Sequence, residues 1–145
     1  MLGGAGEVGA AISRDLAALP GIDELAIADI DAGRADSLAR DLGPPALAAR
    51  LDLRDRDAAL RLLAGADLLM NCTSFAWFDE VLALAIEAGT DYADLLSEPT
   101  AEQRAAAAAA GITAVSGLGA TPGLSNVLVR HAADELGELE EVHVS

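Results

Sequence analysis

Gly4-Ala5-Gly6-Glu7-Val8-Gly9 is the stretch on which the fold turns. Its glycines are spaced G-x-G-x-x-G, and an amphipathic pattern opens within it. Val8, Ile12, Leu16 and Leu19 recur at helical spacing, with Arg14 and Asp15 off that face, until Pro20-Gly21 stops the helix. In such a loop the first glycine permits a tight turn and the second lets a diphosphate approach the backbone. The third allows helix and strand to pack closely. Free N–H groups and the dipole at the helix start favour negative charge, so the loop is a seat for a pyrophosphate. Twenty residues past Gly9, Asp29 ends the apolar run Leu25-Ala26-Ile27-Ala28, where a carboxylate can accept hydrogen bonds from ribose hydroxyls. Gly4, Gly6, Glu7, Val8, Gly9 and Asp29 are therefore candidate cofactor-binding residues. NAD is favoured over NADP, because Asp29 repels a 2′-phosphate and Ile30-Asp31 bring no cation. Arg34, one turn into the next helix, is the residue that argues for NADP. The bland alternative is a structural turn with Asp29 as a helix N-cap.

Outward from this loop, short apolar runs alternate with helical patterns, which predicts an α/β fold: a Rossmann-type, doubly wound parallel sheet. A helix carries Ala35, Leu38, Ala39 and Leu42 and stops at Gly43-Pro44-Pro45. Strands are expected near 48–53, 66–72, 92–96 and 112–116. Helices are expected over 58–63 and 78–88, from Pro99 through the alanine run 105–110, and over 124–136. Only Met1 and Leu2 precede the loop, and Glu141-Val142-His143-Val144-Ser145 reads as a strand just begun. The expectation is a fragment that lacks most of the first strand and a C-terminal substrate domain. Residues 1–138 would be the dinucleotide-binding domain and 139–145 the start of the next.

Composition narrows the partners. The 145 residues suit one domain, and at 52% hydrophobic the chain can form a core. Twenty-four acidic residues face nine arginines and no lysine, for a net charge of −15. Such a chain is repelled by nucleic acid and anionic lipid, so neither is expected as a partner. No apolar run nears the roughly 20 residues of a membrane span. No signal peptide is visible, and the lone Cys72 suggests neither disulfide nor metal cluster, so a cytoplasmic location is expected.

A second motif lies at Gly117-Leu118-Gly119-Ala120-Thr121-Pro122-Gly123-Leu124-Ser125-Asn126. Thr121 reads as an N-cap and Pro122 as the first helical residue, so a glycine-rich loop delivers a helix N-terminus to the carboxyl edge of the sheet, where open α/β sheets bind ligands. Gly-x-x-Pro-Gly-Leu-Ser-Asn, taken with the opening glycine loop, resembles the saccharopine dehydrogenase-like family, which includes saccharopine reductases, lysine 6-dehydrogenases and carboxynorspermidine dehydrogenases. Ala28-Asp29, Leu51-Asp52-Leu53, Asn71 and Tyr92-Ala93-Asp94 extend the resemblance along the chain. It implies a nicotinamide-dependent oxidoreductase acting on a C–N bond of an amino acid of saccharopine or lysine type. The Rossmann domain would be followed by an α+β domain that closes over the substrate and makes the contact of a homodimer. A small amino-acid substrate is the expected partner, and NAD, or else NADP, the cofactor.

On this resemblance Asp52 touches adenine, while Asn71, Cys72 and Thr73 end a strand beside the cofactor ribose. Gly119, Pro122, Gly123 and Asn126 form the substrate-side loop. Asp94, at the cleft lip, is the candidate catalytic contact to the reacting amine. Each has a plain counterpart: a turn Asp for Asp52, a buried small apolar residue for Cys72, a loop-capping carboxylate for Asp94. Trp77 packs on a ligand or on the core. His131 falls on the apolar stripe of the last helix, as a packing or subunit-contact residue. Three other readings compete. A stand-alone NAD(H)-sensing module would need no second motif. A Rossmann-like methyltransferase would have a more open glycine pattern. Gly3, Gly6 and Gly9 also fit the G-x-x-G-x-x-G frame of extended short-chain dehydrogenases, but these need a Tyr-x-x-x-Lys pair and the chain has no lysine.

Overall fold

A computed structural model describes residues 1–137 and 140–143. The order is α1 (Glu7–Ala17), β1 (Leu25–Asp29), α2 (Ala32–Leu42), β2 (Ala46–Arg50), α3 (Arg56–Leu63), β3 (Leu68–Asn71), a 3₁₀ turn (Phe75–Trp77), α4 (Phe78–Ala88), β4 (Asp91–Asp94), α5 (Ala101–Ala110), β5 (Ala114–Val115) and α6 (Leu124–Leu136). β1 pairs in parallel with β2, from Leu25 opposite Ala46 to Asp29 opposite Arg50. β3, β4 and β5 form a second parallel set. Leu2 joins the two sets, bridging Ala28 on one side and Asn71 on the other. Its amide donates to Met70 O and its carbonyl accepts from Cys72 N, each at 2.9 Å. The spatial order is thus β2-β1-Leu2-β3-β4-β5, the doubly wound order with Leu2 at the place of the central first strand.

Alternation along the strands feeds two cores, one on each face. Leu25, Ile27, Met70 and Ala93 turn toward α1 and α2, where Ala35, Leu38 and Ala39 are buried. Ala28, Leu69 and Tyr92 turn toward α3 and α4, meeting Ala59, Leu63, Val81, Leu84 and Ala85. Helices on both faces explain why the strands read as short, nearly continuous apolar runs. Arg56, hydrogen-bonded to Glu80 and Glu87, ties α3 to α4.

Several boundaries differ from the sequence reading. The strand expected at 48–53 is β2 at Ala46–Arg50. The one expected through residue 96 ends at Asp94, whose carboxylate captures the next amides. Pro99 does not open α5; Thr100 caps it, in a capping box with Gln103. In α1 the buried residues are Gly9 and Ser13, and Ile12 and Leu16 pack half-buried against the core, while Val8, and Leu19 past the helix end, are about half exposed. α6 has no buried residue and His131 is exposed, so the stripe read from its sequence is not packed here. No strand forms over Glu141–His143; the rest of that expected strand, and the domain boundary at 138/139, fall on residues outside those described.

Candidate cofactor site

The carboxyl ends of β1 and β3, the glycine loop and the segment after β2 meet at one edge of the sheet. Gly3, not Gly4, makes the tight turn, with φ at +65°. A Cβ on Gly3 would lie 2.7 Å from Cys72 O, so the loop passes close over the end of β3. Gly4 has no positive φ, and its missing side chain leaves room for Met1 and Ile27. Gly9 lets α1 close on the loop: a Cβ there would lie 2.2 Å from Gly3 O. Ser13, one turn on, is fully buried and donates to Gly4 O at 3.3 Å.

The loop's amides divide in two. Those of Gly4, Ala5 and Gly6 are used by the protein, donating to Ala28 O (3.2 Å), Asp29 Oδ2 (3.2 Å) and Gly3 O (3.1 Å). The expectation of bare amides along the whole loop therefore fails in its first half, because the turn at Gly3 folds those groups inward. The amides of Glu7, Val8 and Gly9 have no hydrogen-bond partner among the described residues, and the first bond into the helix is Ala10 N to Gly6 O at 2.8 Å. Three parallel donors at a helix start form an anion seat.

Asp29 is fixed toward this seat. Its Oδ2 accepts from Ala5 N and its Oδ1 from Asp31 N at 3.1 Å, and each oxygen keeps acceptor capacity for a further donor. It is not the N-cap of α2: Asp31 is, accepting from Arg34 N at 3.1 Å. Beside Asp29 lies a cavity of about 250 Å³, with Leu2, Ala28 and Leu51 among its apolar wall and Asp52, Thr73 and Trp77 among its polar and aromatic lining. Asp52 Oδ1 accepts from Arg54 N at 3.0 Å, turning the chain after β2.

Asn71 and Cys72 do not line this cavity. Asn71 is fully buried, its Nδ2 donating to Tyr92 Oη at 3.1 Å and its Oδ1 accepting from the amide and hydroxyl of Thr73. It shapes the loop and leaves the facing to Thr73. Burial pushes the Cys72 thiol up to about 11, so it stays a neutral thiol at pH 7.

Of the two readings of Asp94, the geometry fits the loop-capping one. It is fully buried, and Oδ1 accepts from the amides of Leu96 (2.9 Å), Ser97 (2.8 Å) and Gly117 (3.3 Å), while Oδ2 accepts from the Ser97 hydroxyl. Burial alone would raise its pKa. The hydrogen bonds from Ser97, Tyr92 and Gly117 outweigh burial and hold the carboxyl below its ordinary value. A carboxylate so enclosed and so acidic is a poor base for an amine, and it organises the loops after β4 and β5.

The second motif lies beside it. Leu118 N donates to Asp94 O at 2.9 Å, and a Cβ on Gly119 would lie 2.6 Å from Leu95 O. Gly123 sits at φ +127° with its Cα against Gly119, and Leu124 N donates to Gly119 O at 2.8 Å. Gly123 is therefore the N-cap of α6, and Thr121 and Pro122 precede the helix, unlike the sequence reading. Asn126 is exposed, its Oδ1 accepting from the Ser125 hydroxyl at 3.2 Å. The sequence reading overlooked Arg54 and Ser74 on the cavity wall; the Asp-x-Arg turn after the third apolar run was the available signal for Arg54.

A doubly wound parallel sheet with an anion seat at its first helix and a carboxylate at the end of the next strand defines a dinucleotide-binding domain. The chain belongs to the family described as the saccharopine dehydrogenase NADP binding domain, whose model matches residues 1–115. Its fold matches apo saccharopine dehydrogenase (L-Glu forming) from Saccharomyces cerevisiae at a TM-score of 0.77 and 26% identity, over 92% of this chain and 30% of that one. Fainter likenesses exist to a short chain dehydrogenase/reductase family protein (TM-score 0.47, 20% identity, 94% of this chain and 66% of that one) and to serine dehydrogenase from Escherichia coli (0.47, 17%, 93% and 72%). The chain thus spans about a third of the length of the saccharopine dehydrogenase. Nicotinamide cofactor binding in an oxidoreductase family follows. Among the described residues, no helix is long and apolar enough to cross a membrane.

Proposed function

We propose that this chain is the cofactor-binding domain of a nicotinamide-dependent oxidoreductase acting on a C–N bond of a saccharopine- or lysine-type amino acid, with NAD preferred to NADP. One observation carries the cofactor reading: the free amides of Glu7, Val8 and Gly9 and the carboxylate of Asp29 are joined through Ala5 into one rigid edge. Gly6 supports it. Its φ of −68° is ordinary, and a Cβ there would meet only Gly3 O, at 3.3 Å, so the fold asks less for glycine at Gly6 than at Gly3 or Gly9. A ligand lying across the loop accounts for the missing side chain.

A nicotinamide cofactor held by the amides of Glu7 to Gly9 and by Asp29 would supply the two-electron hydride acceptor for oxidation of the substrate's C–N bond, the nitrogen's proton leaving to solvent. This chain's part is to seat the diphosphate on α1, to hold the ribose at Asp29, and to offer adenine the apolar wall of Leu2, Ala28 and Leu51 beside Asp52. Gly119, Pro122, Gly123 and Asn126 would face the substrate half of the cleft, in a loop whose course Asp94 sets. The amino-acid substrate is supported by the saccharopine dehydrogenase likeness and the Pro-Gly-Leu-Ser-Asn segment.

Calorimetry of the purified chain with NAD, NADPH and S-adenosylmethionine tests the proposal. NAD is expected to bind more tightly than NADPH, and S-adenosylmethionine not at all. Tighter NADPH would overturn the cofactor preference, and binding of the methyl donor alone would discard the dehydrogenase. Asp29→Asn is expected to weaken NAD roughly ten- to a hundredfold, since hydrogen bonds to a charged partner contribute about 1.5–3 kcal/mol, while NADP loses less because repulsion of its 2′-phosphate is relieved. An equal loss for both nucleotides would remove Asp29 from the ribose.

A further inference from the structure

The cofactor reading leaves the cation of the cavity wall without a task. Three cations stand near Asp29 in sequence or in space, of which Arg50, opposite Asp29 in the β1–β2 register, is exposed and is not part of the cavity wall. The sequence points to Arg34, which is exposed in the first turn of α2 and is not part of the cavity wall. Arg54, past β2, is part of it, and among the described residues it is the one cation that lines the cavity. Its place is set by the backbone: Leu51 N donates to Asp29 O at 2.9 Å, and Asp52 Oδ1 then accepts from the amide of Arg54 at 3.0 Å, in a turn that leaves residue 54 on the cavity wall.

The guanidinium there is weakly held. Its Nη1 is 3.8 Å from Asp52 Oδ2, and 79% of the side chain is exposed. A solvated pair at that distance contributes little, so a stronger acceptor can take the guanidinium from Asp52. A phosphate monoester is such an acceptor, matching the guanidinium with two parallel, charge-assisted hydrogen bonds. A 2′-hydroxyl offers neither the charge nor the second oxygen.

We propose that Arg54 is a specificity-determining residue: it sets how far the adenosine end of this site tolerates a phosphate on the ribose 2′ position. It works against Asp29. The carboxylate makes NAD the preferred ligand, and the arginine keeps NADP from being excluded. The proposal rests on the reading of this cavity as the adenosine end of a nicotinamide dinucleotide site.

The test uses the full chain and the dissociation constants of NAD and NADP, read by calorimetry and by the emission of Trp77, the one tryptophan of the sequence and part of the cavity wall. Arg54→Ala is expected to weaken NADP roughly tenfold and NAD less than about twofold. Arg54→Lys should recover part of the loss, since it keeps the charge without the fork. The fall of NADP affinity with salt should become shallower in Arg54→Ala, because one ionic contact has gone. Arg34→Ala should leave the NADP-to-NAD ratio unchanged. An unchanged ratio in Arg54→Ala, or a shift of the ratio in Arg34→Ala in its place, would overturn the assignment while leaving the cofactor reading intact. A wild-type chain that binds neither nucleotide would overturn both. Arg54 is exposed, so unchanged thermal unfolding of its variants is expected to rule out misfolding as the cause.

Discussion

Gly9→Ala is expected to destabilise the chain by about 3 kcal/mol, and Gly6→Ala to leave stability almost unchanged while costing tenfold or more in NAD affinity. The two glycines belong to one motif, yet their surroundings differ. A Cβ at Gly9 would stand 2.2 Å from Gly3 O and 2.9 Å from the Cα of Gly4. Both neighbours are backbone and cannot swing aside. α1 would have to withdraw from the loop, opening the contact of Ser13 with Gly4 O. At Gly6 the nearest atom is Gly3 O at 3.3 Å, which a shift of a few tenths of an ångström accommodates. The methyl added by Gly6→Ala would instead face the anion seat, where a diphosphate must approach the amides of Glu7 and Val8. Thermal unfolding and NAD titration on both variants separate the cases. About 3 kcal/mol corresponds to a midpoint lower by roughly 6–12 °C in a domain of this size. If Gly6→Ala binds NAD like wild type, no ligand crosses the loop there. If Gly9→Ala unfolds with the wild type, the close approach of α1 to Gly3 is not what holds the loop.

The parts of the fold that were legible in the sequence are those set by local chemistry. Phe78 to Ala88 reads as a helix closed by Gly89, and α4 has those bounds, with Gly89 in the left-handed conformation. Strand order was legible too, because alternation with helices leaves few parallel topologies. Periodicity placed α1 only in part: Ile12 and Leu16 pack against the core as read, but the pattern weighs large apolar side chains and passes over small ones. Val8 was read onto the same face yet is about half exposed, while the buried positions are Gly9 and Ser13, whose smallness is what permits close contact. Of the candidate site, Asp29 was legible because its place follows from spacing after the glycine loop. Arg54 was not, and for Asp94 the sequence left a catalytic contact and a loop cap both open. Whether a charged side chain lines a cavity or is spent on nearby amides depends on how the chain turns after its strand. Asp52 and Asp94 both follow or end a strand, yet Asp52 lines the cavity and Asp94 is enclosed by its own loop.

Asp94→Asn is expected to cost the chain about 3 kcal/mol at pH 7, measured by urea unfolding, and the cost should shrink on acidification. Besides Tyr92 in its own strand, four groups donate to this carboxylate from its own loop and the next: the amides of Leu96, Ser97 and Gly117 and the Ser97 hydroxyl. An amide side chain turns one of the two acceptor oxygens into a donor, which then faces the Ser97 hydroxyl or the cluster of amides. Hydrogen bonds to a charged group contribute about 1.5–3 kcal/mol each, and a buried donor left without a partner loses about 1–3 kcal/mol. Because some donors will find the remaining oxygen, the net effect stays near the lower end of their sum. The sign with pH follows from linkage. The folded chain holds the carboxyl below 3.8, the ordinary value, so the folded state binds its proton less readily than the unfolded one. The stabilisation is then complete above that ordinary value and is lost as the pH falls through the lower folded value. Other carboxylates titrate over the same range, which is why the informative quantity is the difference between wild type and Asp94→Asn at each pH. That difference should be full at pH 7 and at pH 5 and narrow below about pH 4. A gap that widens in acid would mean that Asp94 is protonated in the folded chain, and a variant as stable as wild type would mean that the loops after β4 and β5 do not depend on it.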